Sequence, residues 1–131
     1  MIVLDTSFIV SYFNTRDQNH LKAVKLMKKI HEPLCITDDI FGEVVTVSLI
    51  RLKSLERASK IGNILLKSLK IINVEKTSFD NAWNIFCKQK ETALSFTDCT
   101  TISVMQENDI EKIATFDRDF GKISRITAIG N

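Results

Sequence analysis

Apolar residues along this chain come in two alternating rhythms. Short, nearly unbroken runs at Ile2-Val3-Leu4, Leu34-Cys35-Ile36, Ile71-Ile72-Asn73-Val74 and Ile110 to Thr115 predict buried parallel strands, and Ile126 to Ile129 a short last one. Between them the apolar positions recur at helical spacing. A helix is expected over Phe8 to Phe13. A second spans about Asp17 to His31, with Ala23, Val24, Met27 and Ile30 opposite Lys22, Lys25, Lys28 and Lys29. Thr37, Asp38 and Asp39 open a third that runs to about Lys53. Leu55 to Leu69 makes a fourth, pairing antiparallel with the third and projecting from the body. Thr77-Ser78-Phe79-Asp80 is a capping-box pattern for a fifth, whose stripe of Phe79, Ala82, Trp83 and Phe86 is expected to face the core. Ser95 to Asn108 is the last. Strands alternating with helices predict an α/β fold with a mainly parallel sheet covered on both faces. One proline, four glycines and no repeat or linker give a single domain over residues 1–131.

Composition narrows the chemistry. With 44% hydrophobic and 26% charged residues the chain is neither disordered nor fibrous. Only His20 and His31 are present, which leaves little room for a zinc site or a serine triad, and the four isolated glycines spell no phosphate loop. Cys35, Cys87 and Cys99 are odd in number, widely spaced and set among apolar neighbours, as reduced core thiols of a cytoplasmic protein are. No run is long enough to span a membrane, and the start lacks the basic and apolar regions of a signal peptide. The net charge of +2 hides an uneven layout. Residues 20 to 70 carry ten Lys/Arg against five Asp/Glu, and the remainder eight against eleven. Such a basic half beside an acidic half suits a polyanion held near acidic groups.

In open parallel sheets ligands bind beyond the carboxyl ends of the strands, and there the polar residues are acids. Asp5 ends the first strand, Glu43 lies in the first turns after the second, Asp98 opens the last helix and Asp117 follows the fourth strand. Each has an ordinary alternative. Asp5 could cap a helix, Asp98 stands three after Ser95 in a capping pattern, and Asp117 could pair with Arg118 in a turn. Glu43 is harder to dismiss, because its neighbours are apolar and a lone buried carboxylate is costly. If the four converge, their repulsion calls for a cation, and oxygen-only ligands favour Mg²⁺ or Mn²⁺ over zinc. That ion chemistry fits phosphodiester hydrolysis.

Four motifs, Ile2-Val3-Leu4-Asp5-Thr6-Ser7, Ile40-Phe41-Gly42-Glu43-Val44, Leu94-Ser95-Phe96-Thr97-Asp98 and Ala114-Thr115-Phe116-Asp117-Arg118-Asp119-Phe120, resemble in order and spacing those of the PIN domain family. Size and the Asp-start are most similar to its VapC-type ribonuclease toxins. The resemblance implies a Rossmann-like three-layer α/β/α sandwich, divalent-metal-dependent cleavage of RNA, a cognate antitoxin and a homodimer. It places Asp5, Glu43, Asp98 and Asp117 on the family's acidic quartet, with Asp5, Asp98 and Glu43 as metal ligands. Thr6 or Ser7 falls on the hydroxyl position beside the first acid. Asp119, close to the fourth motif, could assist or replace Asp117. Cys99 stands where the family more often has a small residue such as alanine. Phosphate contacts are expected among Lys22, Lys25, Lys29, Arg51, Lys53 and above all Arg118. The rival readings are an RNA-processing nuclease without a toxin role, a catalytically silent protein-binding module, and a phosphatase with Asp5 as nucleophile.

Overall fold

The computed structural model describes all 131 residues. Its elements are β1 (Ile2–Leu4), α1 (Thr6–Phe13), α2 (His20–Lys29), β2 (Leu34–Thr37), α3 (Asp38–Leu52), α4 (Leu55–Ser68), β3 (Lys70–Ile72), α5 (Lys76–Cys87), α6 (Phe96–Glu107), β4 (Lys112–Ala114) and β5 (Thr127–Ile129), with a 3-10 turn at Arg118–Lys122. The strands form one parallel sheet in the order β3-β2-β1-β4-β5. β1 to β3 step one way across it and β4 and β5 lie on the other side of β1, so right-handed connections put helices on both faces. The result is a three-layer α/β/α sandwich.

β1 lies at the centre because it has only apolar side chains to bury, and Ile2, Val3 and Leu4 are all shielded from water. Its register sets Val3 beside Cys35 on one flank and Ile113 on the other. Around it pack Phe8 and Ile9 of α1, Ile36 of β2, Ile40 and Val44 of α3, Ile102 and Met105 of α6, and Phe120. Helix α6 is enclosed on all sides: every residue from Cys99 to Met105 is buried. Its hydroxyls are satisfied internally. Thr100 donates to Asp39 at 2.8 Å, Thr101 donates to the Thr97 carbonyl at 2.9 Å, and Ser103 accepts from Asn81 at 2.9 Å.

The structure corrects several expectations. α5 begins at Lys76 with Glu75 as N-cap and no side-chain cap, so the Thr77–Asp80 capping box does not form; Asp80 instead pairs with Lys76 at 2.8 Å. Of the expected stripe only Ala82 is buried, while Phe79 and Trp83 are 50% and 55% exposed and Phe86 is exposed too. Helical spacing shows that a stripe exists, not what covers it. Cys35 and Cys99 are buried, but Cys87 is exposed at the end of α5. The α3–α4 pair does not stand free of the body, because Ile61 and Leu65 of α4 join the core.

Where β5 ends, Gly130 adopts φ +118°, and a Cβ there would lie 2.6 Å from the Thr115 carbonyl oxygen. Gly130→Ala is therefore expected to destabilise the fold by about 1–3 kcal/mol, read as a lower midpoint in urea unfolding.

Candidate functional site

The reversal of strand order falls at β1, between β2 and β4, which is where open α/β sheets hold their ligands. A cleft of about 410 Å³ opens there, and Asp5, Glu43, Asp98 and Asp117 all line it. Asp119 does not. Its carboxylate accepts the Ala93 N–H at 2.9 Å and pairs with Lys122 at 2.9 Å, contacts that hold it below its ordinary range. Between the two neighbouring aspartates, it is Asp117 that faces the cleft and Asp119 that tethers the loop before α6.

Asp5 is the most deeply set. Its N–H continues the sheet by donating to the Ala114 carbonyl at 3.0 Å, and its side chain does not cap α1. Instead Oδ2 accepts the hydroxyls of Ser7 and Thr115, both at 2.7 Å. These hydroxyls in turn accept backbone N–H groups, Ser7 from Phe116 at 3.1 Å and Thr115 from Asp117 at 3.0 Å. With the carboxylate ionised, both hydroxyl protons point at Oδ2, and the loop after β4 is pinned to the end of β1. Of the two hydroxyls expected near Asp5, Ser7 makes the contact, whereas Oγ1 of Thr6 is buried without a partner.

Asp98 combines the two roles its motif left open. Its Oδ2 accepts the Ser95 N–H at 2.8 Å while Ser95 caps the Asp98 N–H at 3.1 Å, a complete capping box, and the same side chain lines the cleft. Glu43, in the second turn of α3, is half-buried across from them.

Burial pushes the Asp98 carboxyl up to about 6, with further upward pressure from Asp5 and Asp117, against the lowering pull of Ser95. Asp5 is also raised, by burial first, with its hydroxyl partners opposing and Glu43 adding repulsion. None of the four acids forms an ion pair. Behind Asp98, burial pushes the Cys99 thiol up to about 11, so it stays protonated.

The basic candidates are dispersed. Lys22 sits over the ring of Phe116, a cleft residue, at 5.7 Å from its centroid. Lys25 and Arg118 are exposed and outside the lining, and the cation that does line the cleft is Arg51. The acidic reading missed Asp17, which accepts from the Ser11 hydroxyl at 3.0 Å and the Asn19 N–H at 2.8 Å on the same wall. No pattern marked it, because it belongs to a loop and not to a strand end.

A family model described as PIN domain matches residues 2–126. The chain belongs to the PIN domain family. This PIN domain is 28% identical over 123 residues to the 23S rRNA-specific endonuclease VapC20 of Mycobacterium tuberculosis, 92% of each chain being covered. The crystal structure of that sarcin-ricin loop cleaving toxin superposes with a TM-score of 0.87 at 25% identity, covering 93% of this chain and 94% of the other. A toxin-antitoxin complex from Klebsiella pneumoniae shares the fold at 18% identity, with a TM-score of 0.73 over 97% of this chain and 96% of the other.

As they stand, no three His, Cys, Asp or Glu side chains of this PIN domain are close enough together to hold a metal ion. The donor set is nonetheless of the kind a hard cation takes: unpaired carboxylates, partly desolvated and mutually repelling in one cleft. The Asp98 shift has a consequence for stability. A carboxyl that titrates near 6 when folded, against an ordinary 3.8, favours the fold below about 3.8, and that benefit is lost as pH rises through about 6. Asp98→Asn keeps an acceptor for the Ser95 N–H and removes the charge. It is expected to melt at a higher temperature than the parent at pH 7 and at the same temperature near pH 3.5, as read by calorimetry without added metal.

Proposed function

We propose that this PIN domain is a divalent-metal-dependent endoribonuclease, using Mg²⁺ with Mn²⁺ as a substitute, and the toxin of a toxin–antitoxin pair. The observation that carries the proposal is the gathering of four unpaired carboxylates in one cleft at the point where strand order reverses. The similarity to an rRNA endonuclease supports RNA as substrate. Solved toxin-antitoxin relatives support a cognate antitoxin as partner, and the homodimer is proposed from the family's habit.

In this reading Asp5, Asp98 and Glu43 hold the ion and Asp117 completes the negative pocket. When bound, a divalent ion activates water and stabilises charge gathering on phosphorus. The protein's own part is positioning. Ser7 and Thr115 fix the orientation of Asp5, and the capping box fixes Asp98 at the head of a buried helix. Arg51 and Lys22 are the cations placed to meet phosphates, with Lys25 and Arg118 further out, and such contacts weaken with salt. The raised Asp98 carboxyl adds a pH dependence. Below about 6 a proton competes with the cation for this side chain, so cleavage at limiting Mg²⁺ rises as pH passes about 6, and the midpoint moves lower as Mg²⁺ is raised.

The test is cleavage of an rRNA fragment by purified protein with Mg²⁺, with Mn²⁺ and with a chelator. Thr115→Val, which removes only a supporting hydroxyl, is expected to lose about 10–100-fold; Asp5→Asn and Asp98→Asn are expected to lose more. Equal cleavage by parent and both aspartate variants would overturn the assignment. In cells, expression of the parent is expected to arrest growth and expression of Asp5→Asn to permit it.

A further inference from the structure

Phe116 is the only aromatic side chain that lines the acidic cleft, and the proposed chemistry leaves it unused. Its place is nonetheless closely fixed. Fully buried Phe8 stacks on one face of the ring, with centroids 5.6 Å apart and planes 26° from parallel. The Phe116 N–H is held by the Ser7 hydroxyl at 3.1 Å, in the same set of bonds that orients Asp5. The ring thus stands on a rigid support beside Asp117, part-exposed where packing alone would cover it. Over it lies the Lys22 ammonium, 5.7 Å from the centroid. Lys22 is exposed and has no carboxylate partner, so only this weak contact keeps it there.

Asn19 gives independent support. It is the N-cap of α2, a position where an asparagine side chain ordinarily accepts an N–H of the first helical turn. Here it makes no cap. The start of the helix is tied instead by the Asp17 carboxylate, which takes the Asn19 N–H at 2.8 Å, and the free amide lines the cleft. An amide carries donors and an acceptor side by side, the pattern that pairs with the edge of a base. Lys22 follows three residues later, so the two side chains are neighbours on one face of α2.

We propose that Phe116, Lys22 and Asn19 form a pocket for one unpaired nucleobase of the RNA, next to the phosphate cut at the acids. The inference rests on the nuclease reading above and deepens it, by stating what the cleft holds besides that phosphate. Charge decides the occupant. Five carboxylates line the cleft against one cation, Arg51, so a second phosphate is repelled there whereas a neutral base is not. A flat apolar ring backed from below is what a base stacks on. Only an unpaired base reaches it, because a base inside a duplex is already stacked on both faces. Lys22 holds the place until then. On binding, the base takes the ring face and the flexible four-carbon stem carries the ammonium aside to the phosphate of the same nucleotide. The Asn19 amide meets the edge of the base. The ring therefore supplies affinity for any base, and the amide supplies the preference among them.

A mutant cycle between protein and RNA tests this. Binding of an rRNA hairpin fragment in Mg²⁺ is read by fluorescence anisotropy in the Asp98→Asn background, so that turnover does not interfere, and each loop nucleotide is replaced in turn by an abasic one. Phe116→Leu is expected to weaken binding of the intact RNA about 5- to 150-fold, the span of base–aromatic stacking. It is expected to change nothing for RNA that is abasic at one position beside the cut. Phe116→Tyr, which keeps the ring, is expected to bind as the parent ring does. Asn19→Ala is expected to even out the affinities for the four bases at that same position. Lys22→Gln is expected to reduce the slope of log affinity against log salt by about 0.7, one phosphate contact on a single strand, whichever base is present. A Phe116→Leu loss that is equal at every abasic position, or that Phe116→Tyr shares, overturns the pocket and leaves the ring as packing for Phe8. An unchanged base ranking in Asn19→Ala overturns the part given to the amide, and an unchanged slope in Lys22→Gln the part given to the lysine. RNA that the parent neither binds nor cuts overturns the nuclease reading and the pocket together. RNA that the parent cuts, and that Phe116→Leu binds as tightly as the parent ring does, overturns the pocket alone.

Discussion

A carboxylate buried at the end of a central strand is the constraint on which the rest of this molecule depends. Asp5 is 5% exposed and has no cation beside it, so only oriented dipoles can keep it tolerable there. The fold supplies two hydroxyls, and each stays oriented only because a backbone N–H of the following loop takes its lone pair. The strand end, the first turn of α1 and the loop after β4 are thereby one hydrogen-bonded unit. Asp117 belongs to that unit through its own N–H. The placement of the fourth acid is thus a by-product of stabilising the first.

Much of this was legible in the sequence because strands of a parallel sheet are buried on both faces and read as apolar runs. Acids at the ends of such runs are visible for the same reason. Asp98 shows the limit of that logic, since capping and lining the cleft looked like competing explanations and one carboxylate does both. The choice between Asp117 and Asp119 was not legible either. It depends on the Ala93 N–H, 26 residues away, which draws Asp119 out of the cleft. Arg51 and Asp17 reach the cleft through the packing of α3 and of the loop before α2, which no local pattern encodes.

The aromatic stripe of α5 failed for a different reason. Periodicity reports that a helix has an apolar face, and the core and a partner use the same chemistry to cover it. Helix α6 fails in the opposite sense, because it mixes threonine and serine with apolar residues and shows almost no stripe, yet is the most enclosed helix in the fold. Its hydroxyls are buried because each finds a partner within the protein. A helix held on every side is a firm base for Asp98, whose repulsion from Asp5 would otherwise move a looser element.

The bond between Asp5 and Thr115 joins residues 110 positions apart in the chain. During synthesis the first acid and Ser7 are made almost at once, but the second hydroxyl that holds the acid, Thr115, comes only just after β4. A growing chain that has not yet delivered that strand carries Asp5 with only half of its hydroxyl pair and lacks Asp117 altogether. The acidic cleft is therefore assembled only once β4 and the loop after it have joined the sheet, and a cutting activity built on it would switch on late in synthesis.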